Sequence, residues 1–167
     1  LQRQIELFQQ DPDCVLVGAR SYLWVDGDTA PFAIQPDLHP DAAASLGPAE
    51  FFVNGPWMHT ATRVWLTEFQ HQLRHDIPDD RARPDLGQVL YTVALARQGR
   101  VSIRFLDEIT SVYRKHPGGI WSGRSVCPSL DWELHVLQTL RMAGIDSVAQ
   151  VSRDITNTTV ILAGQNH

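Results

Sequence analysis

The run Tyr113-Arg114-Lys115-His116, followed by Pro117-Gly118-Gly119, is the most informative local pattern in the chain. It delivers a guanidinium and an imidazole to the mouth of a glycine-rich stretch. A guanidinium matches phosphate oxygens with a planar fork. An imidazole hydrogen-bonds phosphate or ligates a metal, and glycines let backbone come close to a ligand. A strand end with ordinary surface charges would use the same residues. Asp26-Gly27-Asp28 spaces two carboxylates as Mg²⁺ or Mn²⁺ ligands are spaced, but Asp-Gly is also a favoured tight turn. His71 and His75 would share one face of a helix and could meet one metal. The segment lacks the glutamate of a His-Glu-x-x-His site and has no obvious third ligand, so it reads as a solvated face. Asp79, Asp80 and Asp85 flank a helix start. Carboxylates there complement the helix dipole, and one of them in a cleft can serve as a general base. No Gly-x-Ser-x-Gly, phosphate loop or dinucleotide fingerprint is present.

These residues must be positioned by alternating helices and strands. Leu1, Ile5 and Phe8 recur on one helical face through Gln10, and Asp11-Pro12-Asp13 stops that helix because proline cannot continue the ladder. Cys14–Val17 is an apolar run suited to a buried strand, and Tyr22–Val25 is a second strand. Pro31–Ile34 returns from the turn at Gly27. A surface loop spans Gln35–Gly47. A short helix over Pro48–Val53 has proline in its first turn. His59–Leu66 reads as a strand, and Thr67–His75 as a helix with Thr67 at its N-cap. The polar stretch Ile77–Pro84 is a loop. Leu86–Gln98 is the clearest helix, with Gly99 placed to end it. Val101–Phe105 and Glu108–Tyr113 read as two strands, and Pro128–Met142 as a second long helix. Helices mixed with strands predict an α/β fold.

The composition narrows the function classes. The 167 residues carry 14 Lys+Arg against 19 Asp+Glu, a net charge of −5, which argues against a general nucleic-acid binder. Five Trp and six Phe supply material for a core, so disorder is not expected. No run reaches the ~18 apolar residues of a membrane span. Cys14 and Cys127 are too few for a disulfide scaffold, and a reducing, cytoplasmic setting is the expectation, although two cysteines could still pair with each other. Asn157-Thr158-Thr159 fits the glycosylation pattern, but no secretion signal accompanies it. The first residue is Leu, inside an apolar-periodic helix, which suggests a piece of a longer protein.

Several segments together resemble one family. Leu1-Gln2-Arg3-Gln4-Ile5-Glu6-Leu7-Phe8 and then Pro12-Asp13-Cys14-Val15-Leu16-Val17-Gly18 resemble the middle of family 2 glycosyltransferases. Leu106-Asp107-Glu108, Val112-Tyr113-Arg114 with His116, and Gly118-Gly119-Ile120-Trp121-Ser122 resemble the closing part of the same domain. His59-Thr60-Ala61-Thr62 falls where that family has a strand near the acceptor site. The resemblance covers residues 1–123, and residues 124–167 form a C-terminal helix and tail without a familiar motif.

The resemblance implies a partial GT-A fold, Rossmann-like with a mixed sheet, whose N-terminal nucleotide-binding half would precede Leu1. It implies transfer of a sugar from a nucleotide-diphosphate donor to an acceptor hydroxyl, carbohydrate or other, with inversion. A divalent cation, Mn or Mg, is expected, its main ligands lying ahead of this chain. Arg114 and His116 match the family's Tyr-Arg-x-His and are the expected diphosphate or metal contacts, with Pro117–Gly123 as a lid. The family's base position falls on Gln88, which cannot take up a proton usefully. Asp85, one helical turn earlier, is then the candidate base. The alternative is a degenerate, non-catalytic module that binds a glycan or a protein partner.

Overall fold

The structure is a computed structural model, and it describes residues 1–36, 58–76, 89, 91–92, 94–96 and 98–118. The expected helices over Pro48–Val53 and Pro128–Met142, the loop Ile77–Pro84, Asp79, Asp80, Asp85, Gln88, the segment from Gly119 onward, and Cys127 lie outside these residues. The chain divides into two compact units, Leu1–Leu66 with Ser102–Ser125, and Thr67–Val101 with Val126–His167.

The first unit is a small mixed α/β assembly. Helix α1 (Gln2–Gln10) leads to strand β1 (Cys14–Val25), then β2 (Ala33–Gln35), a 3₁₀ turn (Thr60–Thr62), β3 (Val64–Trp65) and β4 (Ser102–Lys115). The four strands form one open sheet. β4 pairs with β1 in parallel along its whole length, while β2 and β3 pair antiparallel with Ser21–Leu23 and Leu16–Val17 of β1. A strand has only two hydrogen-bonding edges, so β2 and β3 share the edge that β4 leaves free. The mixed sheet expected from the sequence is thus present.

β1 is one strand, not the two read from its sequence. Its first six residues, Cys14–Ala19, are buried on both faces except for the glycine's missing side chain, and from Arg20 onward burial alternates. The apolar run marks the portion covered on both sides. The strand continues past it because Arg20 is satisfied without leaving the ladder: its Nη1 donates to Asp107 at 2.8 Å and its Nε to the Pro36 carbonyl at 3.2 Å.

β4 is likewise one strand, and the break read between Phe105 and Glu108 is an irregularity in register. Leu106 faces Ala19, but Arg20 faces Ile109 and Ser21 faces Ser111. Asp107, Glu108 and Thr110 are therefore extra, as in a β-bulge, and the charged pair breaks the apolar pattern while the ladder resumes beyond it. Glu108 accepts from Arg3 of α1 at 2.9 Å.

The Asp11-Pro12-Asp13 turn ends α1 as expected and also anchors the start of β4. Ser102 donates its N–H to the Asp13 carbonyl at 2.8 Å and its hydroxyl to Asp11 Oδ2 at 2.5 Å. On α1 itself, Leu1 is 76% and Ile5 39% exposed, while Gln4 is 5% exposed. The expected apolar face is not the buried one. Gln4 is inside because its amide donates to the Thr62 carbonyl at 3.0 Å, which meets a buried acceptor that a leucine would leave unpaired.

In the second unit, α2 (Thr67–Asp76) buries Leu73, and Thr67 is its first helical residue rather than its cap. Val89, Tyr91, Thr92 and residues 94–96 are helical, and Val89, Tyr91, Thr92, Ala94 and Leu95 are all buried. These buried positions span a broad arc of the helix, wider than a narrow apolar stripe. Its end is a Schellman arrangement: Gly99 has φ +69°, Arg100 N–H donates to the Leu95 carbonyl at 3.0 Å and Gly99 N–H to Ala96 at 3.0 Å.

Candidate functional site

Because β1 and β4 are parallel, their carboxyl ends lie side by side. Asp26 N–H donates to the Lys115 carbonyl at 2.9 Å, so the Asp26 turn and the Arg114-Lys115-His116 run share one edge of the sheet. Gly27 takes the positive φ, +97°, that the turn requires, and Asp28 N–H closes it on the Val25 carbonyl at 3.1 Å. Trp24 Nε1 donates to the Asp28 carbonyl at 3.0 Å and braces the turn.

Period-two alternation sends Arg114 to the opposite face from Tyr113 and Lys115. On its face Arg114 meets Asp26: Nε lies 3.0 Å and Nη2 2.5 Å from the same oxygen, Oδ1. The two side chains remain 64% and 45% exposed. The Asp-x-Asp triplet is thus a turn whose first carboxylate holds an arginine. On the other face, Lys115 Nζ stands 5.3 Å from the centre of the Phe32 ring, a cation–π contact. His116 follows the last residue of β4 and is exposed. A Cβ added at Gly118 would meet only the His116 ring, at 3.5 Å, so side-chain packing does not itself require glycine there.

The Tyr113 face carries a cluster that the sequence left scattered. Gln35 and Ser111 flank Ser21, and Ala33 and Tyr113 flank Leu23, so Gln35 and Tyr113 stand on one face across β1. His59 lies over both. Its ring stacks on Tyr113, centroids 4.2 Å apart and planes 13° from parallel, and its Nε2 is 2.9 Å from Gln35 Oε1. Burial, and then the nearby Arg63 and Lys115 charges, lower its pKa to about 4. The imidazole is therefore neutral at pH 7. With Gln35 Oε1 accepting, Nε2 carries the proton and Nδ1 is an acceptor. Ser111 Oγ on the same face is buried without a hydrogen-bond partner.

The backbone holds His59 in place from both sides. Met58 is 2% exposed, and its thioether occupies the space where a side chain on Gly18 would stand, with Sδ only 1.3 Å from the position of a Cβ there. Arg63 clamps the Met58 carbonyl through Nε at 3.0 Å and Nη2 at 2.7 Å. The His59 carbonyl accepts from Thr62 N–H at 2.9 Å and Thr62 Oγ1 at 2.8 Å. His59–Thr62 is therefore an entry into a 3₁₀ turn, not the strand read there, because Thr62 caps the turn with its own hydroxyl.

Of the residues singled out from the sequence, Arg114 and His116 are at the shared carboxyl edge, and Asp85 lies outside the described residues. Asp107 and Glu108 serve as ion-pair partners at the register irregularity. His71 and His75 are exposed on α2, with His75 Nδ1 3.3 Å from Asp76. No group of three His, Cys, Asp or Glu converges among the described residues. Burial pushes the Cys14 thiol up to about 11, so it is an inert core side chain. Gln35 was missed because it belongs to no chemical motif, and Tyr113, although it opens the Tyr-Arg-Lys-His run, was read only as the neighbour of Arg114 and His116 and not for its ring. Their only signal is alternation on two strands whose pairing the sequence does not state.

Comparison with protein families, with curated proteins and with solved structures returned no match.

Proposed function

We propose that the chain is the closing part of a GT-A glycosyltransferase domain, moving a sugar from a nucleotide-diphosphate donor to an acceptor hydroxyl with inversion. The observation that carries this reading is the parallel β1–β4 pair, which ends with Arg114, Lys115 and His116 beside the Asp26 turn. Open α/β sheets bind ligands outside the carboxyl ends of parallel strands. Charge builds on the diphosphate as the glycosidic bond breaks, and cations held in advance lower that barrier. Arg114 offers the planar fork for two oxygens, His116 a further donor, and Asp85 is the candidate base for the acceptor proton. A divalent cation, Mn or Mg, belongs to the reading through the resemblance. The described residues do not make a ligand set for it, since Asp26 Oδ1 is engaged by Arg114. His59, Gln35 and Tyr113 supply uncharged hydrogen-bonding groups of the kind that a hydroxyl-bearing acceptor would use.

A thermal-shift titration tests the proposal, using the protein with whatever sequence its gene places ahead of Leu1. Nucleoside diphosphates with Mn²⁺ at ~100 times Kd should add about 2.7 kcal/mol to stability. No shift with any nucleotide overturns the reading. Gln88 at the family's base position favours the second reading, a non-catalytic module that binds a glycan or protein. Asp85→Ala decides between them: loss of transferase activity removes the second reading, and absence of activity in the parent removes the first.

A further inference from the structure

We infer that Asp26 is a positioning residue for Arg114, fixing one edge of the guanidinium so that the other faces outward to grip an oxyanion. The inference rests on the proposal that Arg114 meets a diphosphate. Nε and Nη2 of Arg114 form the side edge of the fork, and both are directed at Asp26 Oδ1, at 3.0 and 2.5 Å. The end edge, Nη1 with Nη2, has no other partner among the described residues, and the side chain is 64% exposed. A flexible arginine loses rotamer freedom when it binds an anion, and a guanidinium already held by one edge has lost it beforehand. The support is itself tied down by hydrogen bonds. Asp26 N–H is bonded to the Lys115 carbonyl, next to Arg114, and its turn is closed by Asp28 on Val25 and braced by Trp24 on Asp28.

A carboxylate beside an anion site also repels the ligand, so the test must separate orientation from charge. Asp26→Asn keeps an acceptor oxygen for Nε and Nη2 and loses the charge. Asp26→Ala loses both. The two variants carry equal charge, so the difference between them reads the orienting hydrogen bonds alone. The probe is inorganic pyrophosphate, titrated calorimetrically at low salt into the full-length wild type, D26N, D26A and R114A. Tm is measured on each to show that the fold is kept. The expected order places D26A about tenfold weaker than D26N, equivalent to about one charge-assisted hydrogen bond's worth of orientation, with R114A weakest. Equal affinity in D26A and D26N, or tighter binding in D26A, overturns the positioning role while leaving Arg114 as an anion contact. R114A binding as well as wild type, or no pyrophosphate binding by wild type, removes the anion role of Arg114 and the inference with it.

Discussion

His59 shows how a single residue is tuned by what surrounds it. An unfolded histidine titrates near 6.5, and here burial with the Arg63 and Lys115 charges lowers it to about 4. Between these values the unfolded chain binds a proton that the folded chain does not, so folding loses free energy as pH falls through the window. The stability that the neutral ring contributes is complete above about 6.5 and is lost progressively down to about 4. Urea midpoints measured across that range should fall with pH in the wild type, and His59→Gln should flatten the slope. Asp76 titrates in a different window. Burial alone would raise its carboxyl, but hydrogen bonds from His75, Tyr91 and Gln72 outweigh that and hold it below the usual 3.8. Its contribution is present above 3.8 and is lost as pH falls through the lower folded value. Tyr91 OH donates to Asp76 Oδ2 at 3.0 Å. Tyr91→Phe should cost about 1 kcal/mol at neutral pH, and the cost should shrink in acid, which pH-dependent unfolding measures.

At the scale of elements, the close approach of Met58 to Gly18 links the core to the candidate site. Gly18 lies in β1 among buried neighbours, and the methionine that fills its missing side chain is followed directly by His59. Gly18→Ala should cost about 1–3 kcal/mol because the thioether must move. Met58→Ala should cost about 2–5 kcal/mol through the cavity it leaves. The two changes touch, so they should not add: once Met58 is truncated, the alanine at position 18 should cost far less. Denaturant unfolding of the two single variants and the double variant gives the coupling directly. The same series should alter His59, seen as an upward shift of its imidazole pKa by NMR as the cover over the ring loosens.

At the scale of the whole molecule, β1 is the strand with which β2, β3 and β4 all pair among the described residues. It carries β4 on one edge and both β2 and β3 on the other, and Leu16 and Val17 are 0% exposed. Leu16→Ala should therefore destabilise the first unit by about 2–5 kcal/mol. Hydrogen exchange should be slowest in β1 residues paired on both sides, Leu16–Val17 and Ser21–Leu23, because their amides open only when the sheet does. Toward the carboxyl ends of β1 and β4, Phe32 is 52% and Val112 54% exposed. Among the described residues no helix is long and apolar enough to cross a membrane.

The sequence by itself determined the features whose cause is local. Proline at position 12 ends α1 because it has no N–H to give. Asp26-Gly27 turns because glycine tolerates φ +97°, and Gly99 ends its helix at φ +69° for the same reason. The apolar run at Cys14–Val17 marked the buried part of β1. Only the tertiary structure decided the rest, because those contacts join residues far apart in the chain. Gln4 reaches Thr62 across 58 positions and Arg114 reaches Asp26 across 88. No periodicity within α1 could show that a glutamine, not Ile5, faces inward, since the deciding acceptor belongs to a distant turn. The parallel register of β1 with β4, and the extra residues at Asp107, Glu108 and Thr110, set which side chains share a face. That choice put His59 over Gln35 and Tyr113 and sent Arg114 to Asp26. A strand's own sequence gives its alternation, but the partner's register decides what stands beside each side chain.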